Sequence, residues 1–167
     1  MIFDFFSNET NDKPEFVSDE TLTEAMQVII SILQLQISTA KEMSLSMPDG
    51  EERFNALLGN SSFYGYVFGL CNSISIEQFS EIIDKKNMSK NISRLIQGVV
   101  ANLYYPDTEP DWDAVLTWEA KVTEFWLAKN NSYIEGMKKG ALLGNEILTN
   151  TNTSSITLLG AELLNPL

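Results

Sequence analysis

Ser61-Ser62-Phe63-Tyr64-Gly65-Tyr66-Val67-Phe68-Gly69-Leu70-Cys71 is the stretch on which the reading of this chain turns. It reads as the start of a long helix, capped by Ser61 or Ser62 and apolar as far as Ile83. Gly65 and Gly69 lie four residues apart, so in a helix they share one face. A second segment, residues 133–148, repeats the device with Gly136, Gly140 and Gly144. A glycine inside a helix costs roughly 0.5–1 kcal/mol relative to alanine, so five in register need a compensating gain. Removing Cβ atoms along a stripe lets another backbone come close, and each stripe is a suitable partner for the other. A closely packed pair of glycine helices is therefore the expected centre of the fold.

The rest of the chain supplies helices to surround that pair. Residues 21–47 form a first long helix, with Thr21-x-x-Glu24 as a capping box and Pro48-Asp49-Gly50 as its breaker. A short helix follows to Leu58, capped by Asp49-x-x-Glu52 and closed by a left-handed Gly59. Beyond the turn at residues 84–87, Ser89 caps a helix whose Ile92, Leu95, Ile96, Val99, Val100 and Leu103 make one apolar stripe. A loop bracketed by Pro106 and Pro110 leads to a helix over 112–129, with Val115, Trp118, Val122, Phe125 and Trp126 inward. Ser132-x-x-Glu135 caps the second glycine helix. Strand-type alternation and hairpin signals are missing. The fold class is all-α: one domain, a helical bundle of five or six helices. Residues 1–14 read as an N-terminal arm, 15–149 as the helical domain, and 150–167 as a polar linker with an apolar tail. Phe3, Phe5 and Phe6 are costly to leave in water, so the arm is expected to dock on the body or on a second copy. On the first helix, Glu24, Gln27, Ser31, Gln34, Ser38 and Lys41 or Glu42 form a polar seam that is uncharged in its middle. Such a seam is either a contact with another helix or subunit, or a neutral outer face.

A chain of 167 residues normally makes one domain. Its formal charge is −12, and residues 1–52 hold eleven acids against Lys13 and Lys41. That field repels phosphate backbones and anionic membrane surfaces and attracts basic proteins. No nucleic acid is expected as a direct partner, and no membrane, since no apolar run approaches the roughly 20 residues of a span. With one cysteine and no signal-peptide pattern, the expected location is cytoplasmic.

Histidine is absent from the sequence, which removes Ser–His and Cys–His nucleophile activation and histidine acid–base work. Cys71, in an apolar run, reads as a small core residue. Asp107, Glu109, Asp111 and Asp113 are spaced like the start of a calcium loop. Trp112 stands where that loop needs glycine, however, and Trp118 where it needs a bidentate glutamate. The run reads instead as an acidic helix N-terminus. Gly136-x-x-x-Gly140 with Lys138 and Lys139 lacks the ending of a phosphate loop. No catalytic residue, cofactor or metal is expected. The leading expectation is a non-enzymatic interaction domain that binds a basic protein partner, of the immunity, inhibitor or mimic type. Its acidic surface would draw on Asp19, Glu20, Glu24, Asp49, Glu51, Glu52, Asp107, Glu109, Asp111 and Asp113. The alternative is a self-assembling structural or regulatory domain, a homo-oligomer. The third is a small-ligand binder whose groove lies beside the glycines and is lined by Tyr64, Tyr66, Phe68 and Tyr133.

Overall fold

In the computed structural model, which describes residues 13–104 and 112–149, six helices follow one another. They are α1 (Asp19–Leu45), α2 (Gly50–Leu58), α3 (Ser61–Phe79), α4 (Met88–Tyr104), α5 (Trp112–Leu127) and α6 (Asn131–Thr149), with one 3-10 turn at Lys85–Asn87. No strand occurs among the described residues, and the helices pack together as an all-α bundle. The arm with Phe3, Phe5 and Phe6, the loop with Asp107, Glu109 and Asp111, and the tail over 150–167 lie outside the described residues.

The helix ends differ locally from the capping patterns. Ser18 caps α1, its Oγ accepting from the Thr21 amide at 3.1 Å, so the helix starts ahead of the Thr21 box. Asn60 and Asn130 cap α3 and α6 in place of the neighbouring serines; Asn60 Oδ1 accepts from the Ser62 amide at 2.9 Å and Asn130 Oδ1 from Tyr133 at 3.0 Å. Asparagine and serine are equally good caps, and the sequence offers both at each start. Gly59 ends α2 with a right-handed φ of −87°. The left-handed residue is Asp49, with φ 60°, and its side chain makes no capping bond. A Cβ on Gly50 would fall 1.8 Å from the Ser44 carbonyl oxygen, so α2 can fold back tightly on the end of α1 because residue 50 is glycine.

The contact between α3 and α6 is the most extensive among the described helices. A Cβ on Gly65 would lie 2.0 Å from the Tyr133 carbonyl oxygen, and one on Gly69 2.0 Å from that of Met137. Reciprocally, a Cβ on Gly136 would lie 2.0 Å from the Ser62 carbonyl oxygen and one on Gly140 2.1 Å from that of Tyr66. Contacts advance in the same direction along both helices, so the pair is parallel. The glycines also match: adding 71 to Gly65 and Gly69 gives Gly136 and Gly140, and the carbonyls they meet exchange in the same way. The pair therefore has a local two-fold relation, with backbone against backbone on both sides. Ser61 Oγ donates to Asn130 Oδ1 at 3.2 Å and ties the two starts together.

Around this pair, α1 and α4 pack on each other and on α3, while α5 bridges α3, α4 and α6. Ile29, Leu33, Leu70, Ile74, Leu95 and Val99 make the centre of the core. Tyr64 stacks on Trp118 with centroids 5.3 Å apart, and the Phe125 ring meets it edge-on at 5.7 Å. Trp126 turns outward, 56% exposed, because Phe125 and Val122 already face the body. The seam on α1 is exposed at Gln27, Ser31, Gln34 and Ser38, and the polar residue that α1 does bury is Gln36.

Candidate functional site

The expected groove beside the glycines is filled. Tyr66 and Tyr133 are fully buried and Tyr64 nearly so, and the glycine faces are occupied by the partner backbone. Tyr66 donates its hydroxyl to Gln36 Oε1 at 2.9 Å. Burial holds the Tyr66 hydroxyl well above the usual tyrosine range and pushes Tyr133 up to about 12. Phe68 lines a cavity, and that cavity lies between α3, α4 and α5. Cys71 is fully buried, and desolvation raises its thiol far above the range of a reactive thiolate.

Among the described residues, the acidic side chains of this set do not gather on one surface. Asp19, Glu20 and Glu24 lie at the start of α1, whereas Asp49, Glu51 and Glu52 lie beyond its end. From Glu24 to the end of α1 at Leu45 is roughly 30 Å at about 1.5 Å per residue. Asp113 sits on the first turn of α5. The group at the start of α1 is partly neutralised: Arg94 pairs with Asp19 at 3.0 Å, and Lys90 pairs with the neighbouring Glu15. Lys90 and Arg94 also lie over the Phe16 ring, 6.0 and 5.1 Å from its centroid. Lys90 and Arg94 thus clip the entering chain onto α4.

At the other end of α1 the composition is different. Glu42, Asp49, Glu51 and Glu52 are all exposed, and none forms an ion pair among the described residues. Between them Met43, Leu45 and Met47 are exposed, Leu45 at 64%. The αL residue Asp49 and the close approach at Gly50 hold this corner by backbone packing, so its side chains are presented on a fixed frame. The sequence pattern for these apolar residues is alternation at 43, 45 and 47, which in a helix directs neighbours to opposite sides. At a helix end such residues cannot all turn inward.

The chain matches no family model, no curated protein and no solved structure. No helix among the described residues is long and apolar enough to cross a membrane, and none of their acidic and thiol groups gather as a metal site would need.

Proposed function

We propose that this protein is a non-enzymatic, acidic interaction domain that binds a basic protein partner in the cytoplasm, as an immunity protein, inhibitor or nucleic-acid mimic does. The supporting observation is the corner between α1 and α2, where Met43, Leu45 and Met47 are exposed among Glu42, Asp49, Glu51 and Glu52. Carboxylates without an ion-pair partner among the described residues steer a cationic surface and set its register. Exposed methionines supply adaptable apolar contact once it has arrived. Together these suit a partner that interleaves Lys or Arg with apolar side chains. The test uses the full chain as bait in lysate of its native cell, eluted with a salt gradient. A stoichiometric basic protein should be retained at low salt and lost from Glu51→Lys/Glu52→Lys and from Met47→Asp. Retention indifferent to salt and to both variants would remove the proposal.

A second reading has its own support. The exposed face of α1 carries Gln27, Val28, Ser31, Gln34, Leu35 and Ser38 without a charge, and Leu35 is 48% exposed. This suits a symmetric contact between two copies. Light scattering at high micromolar concentration decides it: a dimer abolished by Leu35→Glu supports the reading, and a monomer excludes it.

A further inference from the structure

A groove runs along α3 and α4, and the described chain begins at its rim. Phe68, Asn72 and Ile76 of α3 and the capping Ser80 follow at four-residue spacing, and Ser89, Ile92, Ser93 and Ile96 line the α4 side. Two cavities of about 370 and 480 Å³ lie along this stretch, and Ser89 and Ile92 line both. From Phe68 to Ser80 the stripe is about 18 Å long at 1.5 Å per residue. Trp118 and Val122 of α5 border one end. The other is lined by Ile76, Ile83 and Met88, with Lys85 beside them.

Lys13 Nζ donates to the Ser80 carbonyl oxygen at 3.1 Å. The residues after it are strapped along α4. Asn91, fully buried, accepts from the Val17 amide at 2.9 Å and donates to the Glu15 carbonyl oxygen at 2.9 Å. Traced backwards, the strap passes Arg94, then Asn91, then reaches Ser80, so the twelve residues before Lys13 start from the rim. Those residues contain Ile2, Phe3, Phe5 and Phe6, and the acids Asp4, Glu9 and Asp12. From Phe6 to Lys13 the backbone spans at most about 23 Å, more than the length of the groove. Apolar rings match the apolar lining, and Asp4 matches Lys85 in charge.

We propose that this groove is the docking site of the chain's own N-terminal segment, residues 2–6, with phenylalanine rings against Ile76, Met88 and Ile92 and with Asp4 towards Lys85. The surface is separate from the acidic corner, and the two proposals stand or fall independently. The test compares methyl NMR spectra of the full chain and of Phe3→Ser/Phe5→Ser/Phe6→Ser. Loss of the ring currents should shift the Ile76, Met88 and Ile92 methyls and leave Ile29 and Ile32 in place. Unmoved Ile76 and Ile92 signals overturn the proposal. So do equal shifts from Leu158→Ser/Leu159→Ser, which would assign the groove to the C-terminal tail. Mild oxidation of Phe5→Cys/Ile76→Cys identifies whose segment it is; buried Cys71 does not compete. A cross-linked monomer on a non-reducing gel supports docking within one chain. A covalent dimer assigns the groove to a second copy, and oxidation no faster than in Phe5→Cys/Gln27→Cys rejects docking at all.

Discussion

The two glycine helices use the same contact and live in different surroundings. On α3 nearly every residue from Phe63 to Ser75 is buried, because α1 and α4 cover the side turned away from α6. On α6 the buried residues are Tyr133, Gly136, Gly140, Leu143 and Gly144, largely the stripe facing α3. Positions related by the offset of 71 make the difference concrete. Val67 and Cys71 are buried; their counterparts Lys138 and Leu142 are exposed, Leu142 at 63%. A small-residue stripe therefore brings two backbones together without specifying which helix becomes central. The residues on the far face decide that, apolar on α3 and mixed on α6.

This comparison can be broken most directly at the stripe. Gly69→Ala and Gly140→Ala put a Cβ 2.0 and 2.1 Å from a backbone oxygen. Each is expected to cost about 3 kcal/mol or more, since overpacking costs 1–3 even where side chains can give way. Urea unfolding should show near-equal losses on the two helices; a large inequality would refute the local two-fold relation. Gly144→Ala should cost less, because its Cβ would meet the Ser73 side chain at 2.8 Å while the nearest backbone oxygen, that of Leu70, lies at 3.5 Å.

The next effect separates the helices. Tyr66→Phe on α3 deprives buried Gln36 Oε1 of its hydroxyl donor and should cost about 1–3 kcal/mol. The counterpart Met137→Leu on α6 is a volume-conserving swap at a half-buried position and should cost less than about 1.5 kcal/mol. Thermal melts of the two variants side by side check the order.

Alkaline titration probes both helices together. Tyr66 and Tyr133 ionise less readily folded than unfolded, because burial disfavours the phenolate. Their contribution is complete below the ordinary value of 10.0 and is lost as pH rises towards the folded value, about 12 for Tyr133. Stability should fall from pH 10 to 12, and Tyr133→Phe should flatten the decline. A curve unchanged by that substitution would mean Tyr133 is not desolvated.

The smallest effects lie at the surface. Lys138 lowers the Glu135 carboxyl through a hydrogen bond of 2.8 Å and its charge, yet both side chains are mostly exposed. Glu135→Gln should leave the melting temperature unchanged at neutral pH. Gly59→Ala is the matching control for the stripe: its nearest neighbours lie at 3.8 Å and its φ is right-handed. It should stabilise by about 0.4–1 kcal/mol, opposite in sign to Gly69→Ala.

By itself the sequence determined the helical class, the number of helices to within one, and the two glycine stripes. Those features are local: 3.6-residue periodicity, breakers such as Pro48-Asp49-Gly50, and missing Cβ atoms are written in consecutive residues. The cap at Ser18 over the Thr21 box, and Asn60 and Asn130 over the adjacent serines, were choices between near-equal local options. Only the tertiary structure decided the rest. It made the pair parallel, closed the aromatic groove with the partner backbone, and split the acids between the two ends of α1. It placed Asn91 against Glu15 and Val17, and Gln36 against Tyr66, residues that look like surface polars in the sequence. It left Met43, Leu45 and Met47 uncovered at the corner. Burial is a property of what arrives from elsewhere in the chain, and a helix's own periodicity cannot state which of two similar faces another helix will cover.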